Sequence, residues 1–291
     1  MMNDEDIKEY HNLGVKRVFC IGNGESRLGF DLERLRPLGK IIGCNALYRD
    51  FMPDVIVGVD HGIMHEIYHK GVANKIPAYF RDWTKVPEHM FKFVALGNVS
   101  DKDVELVRQE GVMSENEKGQ AKEFVFHGSR LEGVVHIIKK NKEVIEKNIS
   151  TGQIKISWIH PKNDKSNNIT DILGKDLGWA AGPMSGLVAC EVYKATEVFM
   201  IGHDLRSTKP TINNIYKGTK HYVAEENGPT PHTNWVNQWL SLMKRYPKTT
   251  FYKVHRDLNL KDHVNMHTPE WAGQNNLFYV DYSSIDNLEE I

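Results

Sequence analysis

Short apolar runs, each cut off by glycine or a polar residue, recur along this chain and limit what it can fold into. Arg17-Val18-Phe19-Cys20-Ile21 stops at Gly22-Asn23-Gly24-Glu25-Ser26, and Lys40-Ile41-Ile42-Gly43-Cys44 stops at Asn45. Asp54 to Val59 ends at Asp60, and Glu197-Val198-Phe199-Met200-Ile201 ends at Gly202-His203-Asp204. Runs apolar throughout, rather than alternating, fit strands buried on both faces of a parallel sheet. Helical patterns lie between them. Phe30 to Leu38 has Asp31 as its N-cap, and Asp60–Lys70, Asp101–Glu110, Leu131–Lys147, Gly182–Ala195 and Thr233–Tyr246 follow. Thr249–Val254 reads as the last strand. The alternation predicts an α/β fold: one Rossmann-like domain with a mostly parallel sheet and helices on both faces.

On this reading residues 1–255 form that Rossmann-like domain, with an insertion at about 100–175 and a lid-like loop at about 205–232; residues 256–291 are a C-terminal extension. Ligands of such sheets bind outside the carboxyl ends of the strands, which directs attention to Gly22–Ser26, Asn45–Tyr48, Asp60 and Gly202–Arg206.

Charge excludes other classes. With 37 Lys+Arg against 38 Asp+Glu the formal net charge is −1, so no basic excess draws the chain to phosphate backbones or anionic lipid. Apolar runs are strand-sized, far short of the roughly 20 residues of a membrane span. The polar, acidic N-terminus has no apolar signal core, and Cys20, Cys44 and Cys190 read as buried reduced thiols. A cytoplasmic protein is expected.

Each motif has a functional and a plainer reading. Glycines at 22 and 24 let a βα turn bring N–H groups to a phosphate or ribose, or merely make the turn. Asn45 suits a base, ribose or phosphate, or an Asx turn. Gly182-Pro183-Met184-Ser185-Gly186 opens a helix, where free N–H groups and a hydroxyl favour an anion; alternatively Gly186 only permits close packing. Asp204 ends a buried strand, where a carboxylate is costly without a task or a partner. His61, His65 and His69, and His263 with His267, have four-residue spacing but lack the intervening Glu of a metalloprotease, so no metal is assigned. His232 heads a helix after a loop holding Tyr216, His221 and Tyr222. A neutral imidazole there is suited to take a proton from a hydroxyl.

The order of these motifs resembles that of the metal-independent bacterial sialyltransferases and the wider hydroxymethylpterin-diphosphokinase-like group. Those enzymes have a Gly-Asn-Gly-Pro-Ser turn, a strand ending in Cys-Asn, a Thr-Ser-Gly helix start and a strand ending in Gly-Ile-Asp. A tyrosine-bearing loop and a histidine opening a helix come next. Here Gly22-Asn23-Gly24-Glu25-Ser26, Cys44-Asn45, Met184-Ser185-Gly186, Gly202-His203-Asp204, Tyr216, Tyr222 and His232 follow that order. The likeness covers residues 17–60 and 180–254. Glu25 replaces the proline, and Trp179-Ala180-Ala181 offers no counterpart to the family's arginine. The segment Gly43-Cys44-Asn45-Ala46-Leu47-Tyr48-Arg49-Asp50 is also similar to one in uncharacterised tailed-phage proteins, which would place the chain in a host cytoplasm.

The resemblance implies an inverting glycosyltransferase with a CMP- or UDP-linked sugar donor and no cofactor. Gly22, Asn23, Gly24, Ser26, Asn45 and Asp60 would hold the nucleotide. Ser185, Gly186, Asp204, Tyr216 and Tyr222 would line the donor site, the tyrosines at the leaving phosphate, with His232 as general base. The acceptor would be a glycan or another hydroxyl, with nucleic acid entering only as a substrate. Two other classes stay open. One is a pyrophosphokinase using ATP and magnesium on a small alcohol, with Asp60 and Asp204 as metal ligands. The other is a non-catalytic nucleotide- or glycan-binding protein. Aromatics in Trp235–Trp239 and Trp271–Tyr282 serve equally as core or as contacts of a homo-oligomer.

Overall fold

The computed structural model describes residues 15–81, 83–87, 123–128, 154–159, 164–207, 209–256 and 268–290. Eight parallel strands form one open sheet: β1 (Arg17–Ile21), β2 (Lys40–Cys44), β3 (Val55–Gly58), β4 (Ala78–Phe80), and, after a separate sheet, β8 (Ser166–Asn168), β9 (Glu197–Ile201), β10 (Thr250–His255) and β11 (Leu277–Asp281). Their order is β11-β10-β9-β1-β2-β3-β4-β8. The other three, β5 (Trp83–Pro87), β6 (Glu123–Gly128) and β7 (Ile154–Ile159), pair antiparallel. The longer helices are α1 (His61–His69), α2 (Ala181–Glu191) and α3 (Thr233–Arg245).

The chain divides into two compact units, one from residues up to Val57 together with Gly178 onward, the other Gly58–Leu177. In the first, the unbroken apolar runs are buried on both faces. Phe19, Ile21, Phe199 and Ile201 pack with Leu32, Leu35 and Leu38 on one side. Val18, Cys20, Val198 and Met200 are equally buried, and α2 contacts β1 and β2. Each such side chain contributes about 1.5–3 kcal/mol of burial. That burial, rather than propensity, holds the 3-10 helix Leu32–Leu38, which carries Pro37 inside it. Asp31 caps it as expected, accepting from the Glu33 N–H at 3.0 Å. The segment set apart by sequence after residue 255 supplies β11, paired parallel to β10.

The second unit holds β5–β7, α1 and a core around Trp83, whose Nε1–H donates to Ser166 Oγ at 2.7 Å. Ser166–Asn168, within the span assigned to the insertion, pairs with β4. The predicted helices Asp101–Glu110 and Leu131–Lys147 lie outside the described residues. Among the described residues no helix is long and apolar enough to cross a membrane.

Strand order fixes where a ligand would sit. From β1 the chain runs to β2 and β3 on one side, then returns to β9 and β10 on the other. The crevice between oppositely directed crossovers opens at the carboxyl ends of β1 and β9.

Candidate functional site

At that switch point the turn after β1 meets the turn after β9. Gly22 N–H donates to Ile201 O at 2.7 Å and Gly24 N–H to Gly202 O at 2.8 Å. Gly202 adopts φ +68°, a left-handed conformation that favours glycine. A Cβ on Gly22 would stand 2.5 Å from Gly202 O, so close approach of two backbones explains that glycine. The Glu25 N–H donates to Asn213 Oδ1 (2.7 Å) and the Ser26 N–H to Asp204 Oδ2 (2.9 Å). Four amides of the turn are therefore committed within the protein. Ile201 O, Gly202 O, Asn213 and Asp204 take them, which favours the turn-making reading of these glycines over the phosphate-binding one.

Asp204 is buried, and Ser26 satisfies it with the backbone amide and, through Oγ, a second bond to Oδ1. The carboxylate has a partner and braces the turn. Ser185 is wholly buried, its hydroxyl donating to Gly182 O at 2.6 Å. Gly186 faces α3, since a Cβ there would lie 2.5 Å from Leu242 Cδ2. Tyr216 is buried, receives the Arg27 Nη2–H at 2.9 Å and donates to Asp50 Oδ2 at 2.6 Å. Burial and then Asp50 push its phenol well above the ordinary range. Ser185, Tyr216 and Asp204 thus hold the frame.

Asn23, Asn45 and Tyr222 form a different group. The Tyr222 oxygen accepts from Asn23 Nδ2 and from the Ala46 N–H, each at 3.2 Å, drawing the ends of β1 and β2 under one phenol. Asn45 sits at φ 52°, left-handed backbone that a non-glycine residue adopts at a cost. Among the described residues the Oδ1 atoms of Asn23 and Asn45 are both buried with no hydrogen-bond partner. An unmatched buried acceptor costs about 1–3 kcal/mol, so two at adjacent strand ends are two unmet demands for a donor.

The loop carrying Tyr222 is fastened to this edge. Ile215 N–H donates to Asn23 O at 2.9 Å, and Lys217 and Lys209 pair with Glu25 at 2.6 and 2.9 Å. Those lysine hydrogen bonds hold the Glu25 carboxyl below its ordinary range. Arg49 donates to Thr219 Oγ1 and Lys220 O, and its guanidinium lies 5.7 Å from the Tyr222 ring centroid.

His232 occupies the N-cap of α3, half-buried, and its side chain makes no capping bond. Trp271 Nε1–H donates to Val236 O at 2.9 Å, which fastens the Pro269–Trp271 turn to the first turns of α3. Glu270 of that turn pairs with Arg206 at 2.9 Å and lies within electrostatic reach of His232. Arg206 closes the flagged segment Gly202–Arg206, whereas no sequence motif marks Glu270, which folding brings to it. Asp60 is the exposed N-cap residue of α1 in the second unit and makes no capping bond.

The three cysteines are free and buried, with burial pushing Cys44 and Cys190 up to about 12 and Cys20 well up, which suits inert thiols. Among the described residues no group of three or more His, Cys, Asp or Glu could hold a metal ion. His263 and His267 lie outside the described residues, as do the side chains of His61, His65 and His69. Comparison with models of known protein families, with curated proteins and with solved structures gave no match.

Proposed function

We propose that the chain binds a nucleotide at the carboxyl edge of β1 and β2 and acts as a metal-independent, inverting glycosyltransferase on a nucleotide-sugar donor. The observation that carries the reading is the pair of buried, unpartnered acceptors, Asn23 Oδ1 and Asn45 Oδ1, at the switch-point end of a parallel sheet. Two acceptors call for a ligand bearing N–H or O–H donors, as ribose hydroxyls and the exocyclic amine of cytidine provide. The motif order shared with sialyltransferases supports the same ligand. In this reading Tyr222 borders the nucleotide and His232 takes the proton of an acceptor hydroxyl as it attacks the anomeric carbon. The nucleoside diphosphate or monophosphate leaves with the electron pair of the broken glycosidic bond.

Thermal unfolding with CMP, UDP and their sugar conjugates in chelator tests the binding half. Ligand at 100 times its Kd stabilises by about 2.7 kcal/mol, which moves Tm by a few degrees at this size. A shift confined to ATP with magnesium would favour pyrophosphoryl transfer instead, and no shift with any nucleotide would end the reading. For catalysis, His232→Ala should cut turnover by about 10²–10⁴-fold with donor affinity retained. Unchanged turnover would remove His232 from the mechanism, and binding without turnover in the native protein would make it a binding protein.

A further inference from the structure

Asn23 Oδ1 and Asn45 Oδ1 are buried, so a ligand reaches them only after a neighbouring group has moved. Tyr222 touches the same amide. Its phenol oxygen accepts from Asn23 Nδ2 and from the Ala46 N–H, each at 3.2 Å. The donor half of the Asn23 amide is thus spent on the protein's own loop while its acceptor half stays unmatched. A ligand that satisfied Asn23 fully would take both halves, and the phenol oxygen stands on one of them.

The tip of the loop that carries Tyr222 is built to move as a unit. Gly218 N–H donates to Val223 O at 2.7 Å and Tyr222 N–H to Thr219 O at 3.0 Å. Thr219 donates to Tyr216 O through its N–H (3.0 Å) and its hydroxyl (2.6 Å). These bonds lie within residues 216–223 and need not break when Tyr222 lifts. Behind the tip the loop is anchored, with Tyr216 buried and Lys217 paired to Glu25 at 2.6 Å. Beyond it, residues 223–231 are all exposed. The bonds from Arg49 to Thr219 Oγ1 and Lys220 O lie at the surface, where water replaces them. The shut contact is also strained on both sides. His221, just before Tyr222, has φ 68°, and Asn45, just before Ala46, has φ 52°, both left-handed backbone outside glycine.

We propose that Tyr222 is an internal plug: its phenol oxygen and the nucleotide take turns at one seat, and a nucleotide enters by displacing the phenol from Asn23 Nδ2 and the Ala46 N–H. Displacement also uncovers the two unmatched acceptors, and the lifted ring then borders the bound nucleotide. The plug deepens the nucleotide reading and rests on it. Two neutral hydrogen bonds weight the shut form about ten-fold over the open one. A ligand that binds only the open form has its affinity lowered by the open fraction, about ten-fold here.

The test compares CMP and UDP binding to the native protein and to Tyr222→Phe by calorimetry, because phenylalanine keeps the ring and removes the oxygen. The plug predicts affinity about ten-fold higher in the variant. Equal or lower affinity overturns it, since the phenol would then be a contact of the nucleotide rather than its competitor. A second measurement follows the phenol itself, by 19F spectra of protein labelled with 3-fluorotyrosine. The Tyr222 resonance is assigned by its loss in Tyr222→Phe. Saturating nucleotide should make that resonance more sensitive to a soluble gadolinium chelate, as the ring moves into water. Nucleotide bound with no gain in exposure also overturns the plug. Both of these failures leave the nucleotide reading standing, because the nucleotide still binds. Neither CMP nor UDP binding to either protein overturns that reading and the plug with it.

Discussion

Asn45 carries two separate costs, a left-handed backbone at φ 52° and a buried Oδ1 without a donor. Neither helps the fold, and strain of this kind persists where the surroundings enforce it for a purpose. Asn45→Gly removes both, because glycine adopts the left-handed region freely and has no amide to leave unmatched. Against this stands the extra chain entropy of glycine, about 0.5–1 kcal/mol. Asn45→Gly is therefore expected to stabilise by about 1 kcal/mol, seen as a higher urea midpoint, while Asn45→Ala keeps the backbone strain and gains less. Both should lower nucleotide affinity about ten-fold through the lost acceptor. A glycine variant less stable than wild type would show that the asparagine serves the fold rather than a ligand.

At the scale of elements, α2 and α3 meet where Gly186 faces Trp239 and Leu242, both wholly buried. A Cβ there would lie 2.5 Å from Leu242 Cδ2 and 2.7 Å from Trp239 Cζ3. Gly186→Ala gains at most about 1 kcal/mol of helix propensity. Overpacking a tight contact costs about 1–3 kcal/mol, so net destabilisation of about 1 kcal/mol is expected in denaturant melts. A stabilised variant would mean that the helices separate easily and that Trp239 is not held against His203. The close-packing reading of Gly186 was available from sequence, but its partner was not, because Trp239 and Lys253 read simply as a helix face and a strand. β1, β2 and β9 were legible because both faces are buried, leaving unbroken apolar runs. β4 and β8 have three residues each, too short for a period, and Asn167 and Asn168 are poor strand formers that pair through the backbone. β11 leaves Phe278 half-exposed, so its pattern is weak. The strand-end location of the site was likewise legible. Which amides and hydroxyls were already taken was not, since Asn213 is 188 residues from Glu25 and Asp204 178 from Ser26.

For the whole molecule, His203 sets the response to acid. Its folded value of about 3 lies below the ordinary 6.5, with burial the main cause. Between those values the unfolded chain holds a proton that the folded chain does not, so its contribution is complete above pH 6.5 and is lost as pH falls toward 3. The slope approaches 1.36 kcal/mol per pH unit, large beside a total stability of about 5–15 kcal/mol. Glu25 and Glu191 are lowered from 4.5, so their contributions decline below that point. Lys253, lowered to about 8 from 10.5, acts at the other end: the unfolded chain holds the extra proton between 8 and 10.5, and stability rises there with pH. Urea unfolding at pH 6.5, 5.5 and 4.5 should show stability falling in the native protein and a slope smaller by about 1 kcal/mol per unit in His203→Gln. An equal slope in both would mean that His203 protonates without cost when folded.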